Sequence, residues 1–186
     1  RITRSMAGAA RNAGVPIVTG DTKVVDRGKG DGIFVNVSGV GVVPEGVEVS
    51  PRRAAPGDVL LVSGAIAQHG IAIMALREGL EFGTTVATDS APLHGMVASL
   101  TGALGRDVHV LRDPTRGGVA SVLNEIAKAA GVGVDVTETA FPIAEEVRGA
   151  CEILGLDPLY VANEGKLLAF VARERADEAL AVLRAN

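Results

Sequence analysis

The sequence has no tryptophan, and aromatic residues make up only 3% of it. Proteins that hold single-stranded nucleic acid do so largely by stacking bases on aromatic faces, so that mode of recognition is excluded. Net positive charge is lacking too. Lys and Arg number 18 against 22 Asp and Glu, a formal charge of −4, and no basic run is present to track a phosphate backbone. No nucleic-acid partner is expected. Cys151 is the only cysteine, which excludes an internal disulfide and a multi-cysteine metal site. The sequence contains no run of about 18 uninterrupted apolar residues and no charged-then-apolar leader. No membrane partner is expected either, and the chain reads as cytoplasmic.

What is present is a chain of 186 residues, 47% hydrophobic, long enough for one large domain or two small ones. Its core has to be built from Val, Ala, Leu and Ile. The most informative stretch runs from Val108 to Ala130. It reads as a short β-branched strand, a polar turn Asp113-Pro114-Thr115-Arg116-Gly117-Gly118, and a helix with Val119, Val122, Leu123, Ile126 and Ala130 on one stripe. Pro114 biases Asp113 to an extended conformation and so sends its carboxylate out at the strand's end. The two glycines allow close approach to the backbone, and the first helical turn carries N–H donors without partners. A carboxylate, an arginine and free N–H groups suit a metal-bound polyphosphate. The same residues also suit a plain strand-to-helix turn capped by Thr115.

Around this stretch the chain reads in order as follows. Arg1–Ala13 is a helix stopped by Gly14. Pro16–Val18 and Thr19–Val25 are β-prone, with Asp21 and Lys23 exposed in a turn. After a polar turn from Asp26 to Asp31, the segment Gly32–Val43 is a second strand, giving a hairpin. Pro44–Pro56 has neither period and marks a boundary, so the domains are expected at 1–50 and 57–186. The second begins with a strand at Val59–Val62, a turn at Ser63–Gly70 and a helix at Ile71–Leu80. Further helices are predicted at Asp89–Gly105, Ala144–Leu154 and Arg173–Leu183, and strands at Val132–Val136 and Leu167–Val171. His69, beside Gly70 at a helix start, is a surface or cap residue or an anion contact. Cys151 sits on a helix stripe with Val147 and Leu154, as a small buried hydrophobe. Glu164 and Lys166 are either an exposed turn or a carboxylate and an ammonium at an active site.

Taken together, several motifs resemble the HypE family of hydrogenase maturation proteins, in the superfamily that includes aminoimidazole ribonucleotide synthetase and selenophosphate synthetase. They are S-M-A-G-A-A-R-N-A-G-V (5–15), T-G-D-T-K-V-V (19–25), V-S-G-A-I-A-Q-H-G-I-A-I-M (62–74), D-P-T-R-G-G-V-A (113–120), N-E-I-A (124–127) and A-N-E-G-K-L-L (162–168). They follow the family's order and cover nearly the whole chain.

The resemblance implies an α/β (α+β) chain with the two-domain aminoimidazole-ribonucleotide-synthetase-like fold. Its N-terminal domain would be truncated, and its C-terminal domain would be a mixed sheet with packed helices. It further implies ATP and Mg2+ between the domains, with Asp21 and Asp113 on the metal. Asp21, Thr22, Lys23, Thr115, Arg116, Gly117, Gly118 and Asn163 would be on the nucleotide, and Glu164, Lys166 and His69 would be catalytic. The implied reaction is ATP-dependent dehydration of an S-carbamoyl group on a C-terminal cysteine to a thiocyanate, the source of the cyanide ligand of nickel–iron hydrogenase. The implied partners are a second copy in a homodimer, a carbamoyltransferase and an iron-scaffold maturation protein. The family's first part and its Pro-Arg-Ile-Cys tail are unmatched. The chain is therefore expected to be a fragment, inactive alone, with Cys151 unable to replace the missing sulfur. The competing readings are a sister ATP-dependent synthetase or kinase, and a non-catalytic nucleotide-binding scaffold.

Overall fold

The computed structural model describes residues 1–30, 32–80 and 86–186. The chain divides into two units, Arg1–Glu45 and Gly46–Asn186.

In the first unit a helix, α1 (Ile2–Asn12), ends at Ala13, and Gly14 follows in the left-handed conformation. The expected hairpin is not formed as a ladder: among the described residues of this unit no strand is present. A turn closed by the Lys29 N–H on the Asp26 carbonyl is present, and Asp31 at its end lies outside the described residues. The physical reason is that two strands alone are marginal without a covered apolar face. Val18, Val24, Phe34, Val37 and Val42 are all exposed.

Among its described residues the second unit has three strands and five α-helices: β1 (Val59–Val62), α2 (Gln68–Glu78), α3 (His94–Leu104), β2 (Val108–Arg112), α4 (Gly118–Ala130), α5 (Glu145–Leu154), β3 (Leu168–Val171) and α6 (Ala176–Arg184). The strand order is β1-β3-β2, and both pairings are antiparallel. This corrects the expected mixed sheet while keeping the α+β class. β3 inserts between β1 and β2 and runs against both.

Alternation along the central strand makes the two cores. Leu168 and Phe170 face α4 in a cluster with Ile66, Val110, Val119, Val122 and Ile126. Ala169 and Val171 face α3 and α6 in a cluster with Leu100, Leu104, Ala179 and Leu183. Buried on both faces, β3 reads as a continuous apolar run in place of a half-polar alternation. On β2, Val108 and Val110 fall in opposite clusters although two residues apart. A register irregularity between them supplies the reason: Val108 pairs with Val171 and Val110 with Phe170, leaving His109 as the extra residue of a bulge. His109 is then used locally, its Nδ1 lying 2.9 Å from Asp58 at the start of β1.

Three further departures from the sequence reading have local causes. α3 begins at His94, not Asp89, because Pro92 disfavours helix at the residue before it. Val132–Val136 forms no strand. Val132 and Val134 still pack on the α4 core, but no neighbouring strand pairs with them among the described residues. From Gly46 onward the proline-rich stretch belongs to the second unit. Ser50 N–H donates to the His109 carbonyl, and Arg53 reaches the carbonyls of Val108 and Arg106. Among the described residues no helix is long and apolar enough to cross a membrane.

Leu168, fully buried between β1 and β2, should be the most sensitive of these positions. Leu168→Ala is expected to cost about 2–5 kcal/mol from lost burial and the cavity left behind, read as a lowered urea midpoint. A change under about 0.5 kcal/mol, the level of an ordinary surface substitution, would show that β3 is not the centre of the core.

Candidate functional site

The site is organised by a loop, residues 158–166, that approaches β3. Asn163 in this loop is only 2% exposed, and its amide joins three backbone segments. Its Oδ1 accepts from Ala67 N–H at 2.7 Å. Its Nδ2 donates to the carbonyls of Pro114 and Val161, both at 3.0 Å. Its own N–H donates to the Pro114 carbonyl at 3.1 Å. Both amide protons are therefore spent inside the protein. Asn163, expected to contact the nucleotide, acts in this structure as a staple of the fold, with both side-chain amide protons donated to backbone carbonyls.

The staple brings two helix starts to the loop. α2 begins at Ala67, the one described non-glycine residue with positive φ (71°). No side chain caps this helix, and the Gly70 N–H donates to the Ala162 carbonyl at 3.0 Å. α4 begins at Gly117, again without a side-chain cap. Thr115 does not act as the cap considered from the sequence; its carbonyl accepts from Gly118 N–H and closes a turn. Gly118 has to be glycine twice over: its φ is +63°, and a Cβ would stand 2.4 Å from the Leu159 carbonyl oxygen.

The structure thus gathers Asp113, Thr115, Arg116, Gly117, Gly118, Glu164, Lys166 and His69 around one loop of the second unit. Arg116, Gly117 and Glu164 are exposed, as is Asp113, whose carboxylate is paired with Arg112; Arg112 also reaches Glu125 at 3.5 Å. Asp21, Thr22 and Lys23 belong to the first unit and are exposed there, with Asp21 accepting from Thr22 N–H at 2.7 Å. Among the described residues no cluster of three His, Cys, Asp or Glu stands ready for a metal ion. A Mg2+ held by one or two carboxylates and the phosphates of its nucleotide needs no such cage, and Asp113 beside an uncapped helix start fits that arrangement.

One group escaped the sequence reading. Thr88, with Asp89 and Ser90 that were expected to open a helix, forms a strap against His69 and Lys166. Thr88 Oγ1 lies 2.8 Å and Ser90 Oγ 3.2 Å from His69 Nδ1, and Asp89 Oδ2 lies 2.6 Å from Lys166 Nζ. Pro92 was the available signal, since it disfavours helix at Ala91 and so sets a boundary after Ser90. Cys151 is buried, and burial, with Asp157 adding to it, pushes its thiol up from the ordinary value. That shift disfavours the thiolate that a nucleophile needs. A groove of about 290 Å³ along α4, lined by Val119, Leu123, Val134, Val136 and Leu159 among others, carries no titratable side chain.

Comparison with known proteins fits this geometry. The AIR synthase related protein family matches over two of its domains, the C-terminal domain at residues 55–186 and the N-terminal domain at residues 1–43. Carbamoyl dehydratase HypE of Azotobacter vinelandii is 56% identical over 186 residues, which is 100% of this chain and 54% of that protein. A crystal structure of a HypE–HypF complex aligns with a TM-score of 0.92 at 45% identity, covering 100% of this chain and 60% of that one. A structure of hydrogenase maturation protein HypE in complex with ATP aligns with a TM-score of 0.88 at 49% identity, covering 99% of this chain and 55% of that one. The chain spans about half the length of the curated relatives it matches.

The staple is open to test. Asn163→Ala removes the amide and leaves the Ala67 N–H and the Pro114 carbonyl without this partner. A buried group left unpaired costs about 1–3 kcal/mol. Urea unfolding of the variant should show at least that loss. Unchanged stability would show that Asn163 does not hold the loop.

Proposed function

The chain belongs to the AIR synthase related protein family, and from that membership we propose that it is the ATP-handling part of a carbamoyl dehydratase. The observation that carries this reading is the uncapped start of α4, with Asp113 at the end of β2 and Glu164, Lys166 and His69 assembled beside it. A helix N-terminus concentrates positive potential where a phosphate would lie. The N–H groups of Val119 and Ala120 in the first turn of α4, with Thr115 and Arg116, hold the nucleotide's phosphates. Asp113 holds Mg2+, exchanging its pairing with Arg112 for the ion, and Asp21, Thr22 and Lys23 are the nucleotide contacts proposed for the first unit.

The chemistry proposed is dehydration of an S-carbamoyl cysteine at the protein's C-terminus. An amide oxygen is a poor leaving group, and phosphoryl transfer to it makes it a good one. One amide proton is lost as the oxygen is phosphorylated. The second leaves with phosphate, so that S–C(=O)–NH2 becomes S–C≡N while ATP becomes ADP and phosphate. Lys166 and the His69 imidazole offset charge on the transferring phosphoryl group. The exposed Glu164 carboxylate accepts the first amide proton. The thiocyanate carbon and nitrogen then supply the cyanide ligand of nickel–iron hydrogenase. The partners proposed are a second copy of the chain, a HypF-type carbamoyltransferase and an iron-scaffold maturation protein, in the cytoplasm.

In the full-length protein, Asp113→Asn removes the charge and keeps the shape. A charge-assisted contact is worth about 1.5–3 kcal/mol, so ATP turnover should fall roughly tenfold to hundredfold with the unfolding transition unchanged. Turnover equal to wild type would remove Asp113 from the site.

A further inference from the structure

The pair formed by Asp89 and Lys166 is the most enclosed pairing of a carboxylate with a lysine or arginine among the described residues, the two being 19% and 13% exposed. It is not a loose surface contact, because the backbone is shaped around it. Gly165, next to Lys166, has φ +69°, and a Cβ there would stand 2.3 Å from the Ala91 N and 2.8 Å from the Asp89 carbonyl oxygen. Only a glycine with a left-handed backbone lets the strap come this close. On the other side the Lys166 stem runs over Gly64, with Cε 3.1 Å from where a Cβ would be. The strap is anchored at its neighbours as well. Gln68 Nε2 donates to the Ala87 carbonyl at 3.0 Å, and Thr88 Oγ1 lies on His69 Nδ1.

From this geometry we propose that Asp89 is a positioning residue of the phosphoryl-transfer site, acting through Lys166. The proposal rests on the reading of the site given above. An ammonium on a flexible four-carbon stem has three rotatable donors and no fixed direction of its own. Asp89 accepts one of them at 2.6 Å and, with the stem packed on Gly64, leaves the other two directed by the fold. Preorganised charge is what stabilises a transition state, since it costs no reorganisation when the reaction occurs. Asp89 touches neither nucleotide nor carbamoyl group in this scheme. Its effect reaches the reaction only through the lysine.

The test is a double-mutant cycle in the full-length protein, with Asp89→Asn, Lys166→Met and both together. It is read by ATP turnover and, separately, by the affinity for a non-hydrolysable ATP analogue. Asp89→Asn is expected to lower kcat about tenfold or more, a part of the effect of removing a stabilising donor, with KM for ATP within about twofold. It should cost nothing further once Lys166 is gone, and Asp89→Glu should recover part of the loss. Independent, multiplying effects of the two substitutions would overturn the proposal, as would a loss of thermal stability with kcat unchanged. Should Asp89→Asn fail to fold, Asp89→Glu carries the same cycle: coupling with Lys166→Met supports the proposal and additivity overturns it. A wild-type protein that binds the analogue without consuming ATP would sink the dehydratase reading alone, and coupling in analogue affinity would then decide the role of Asp89. Absence of nucleotide binding would sink both.

Discussion

The buried amide of Asn163 is the interaction on which the rest of the second unit's site depends. It bonds Ala67, Pro114 and Val161, which lie at the start of α2, just before α4 and within the loop itself. Each of these backbone groups would be costly to leave unpaired away from water. Ala67 adds a constraint of its own. A left-handed conformation at a non-glycine residue costs roughly 1–2 kcal/mol, and the Asn163 bond to its N–H offsets that cost by fixing the turn. His69 follows two residues later and Lys166 three residues after Asn163. One side chain therefore sets the positions of both.

A second constraint is the enclosure of β3. Because both of its faces are covered, the loop leading into it has little freedom to shift. Ser63 Oγ accepts from Leu167 N–H at 3.0 Å, and the Ser63 N–H returns a bond to the Leu167 carbonyl. The end of β1 and the start of β3 are thereby locked just past Lys166. The site accordingly sits on the rim of a sheet whose register is set by two hydrophobic clusters. Precision of this kind is available to groups mounted at the ends of packed elements.

How much of this was legible in the sequence depended on whether the signal was local. The strand, turn and helix from Val108 to Ala130 were legible, because period, Pro114 and the paired glycines act within a few residues. The starts of β1 and α5 and the span of β3 were legible to within a residue or two for the same reason. The hairpin before Val43 was not, since β-branched residues state a preference that only neighbouring strands can realise. The bulge at His109 was invisible because V-H-V reads as plain alternation. At the site, Asp113 and the Thr115–Gly118 turn could be picked out from their neighbours in sequence. The role of Asn163 could not, because an asparagine in a polar run looks the same whether it binds a ligand or a backbone. Asp89 was hidden by the opposite error: a helical pattern that is real from His94 onward was extended across Pro92.

These non-local contacts also say how the site is tied to the fold. The bond from Ala67 to Asn163 spans 96 residues and that from Leu167 to Ser63 spans 104. Closing loops of that length costs chain entropy before any contact returns it. Pairing β3 with β1 closes a loop of similar length and offsets that cost by burial, and the same pairing puts Asn163, Lys166 and the strap within reach of their partners. The site can loosen without the sheet melting, since its contacts are few and lie at the rim. The reverse does not hold: without β3 in place nothing keeps the 158–166 loop against the two helix starts. A change in the core far from any reacting group therefore reaches the chemistry through the same strand that holds the loop.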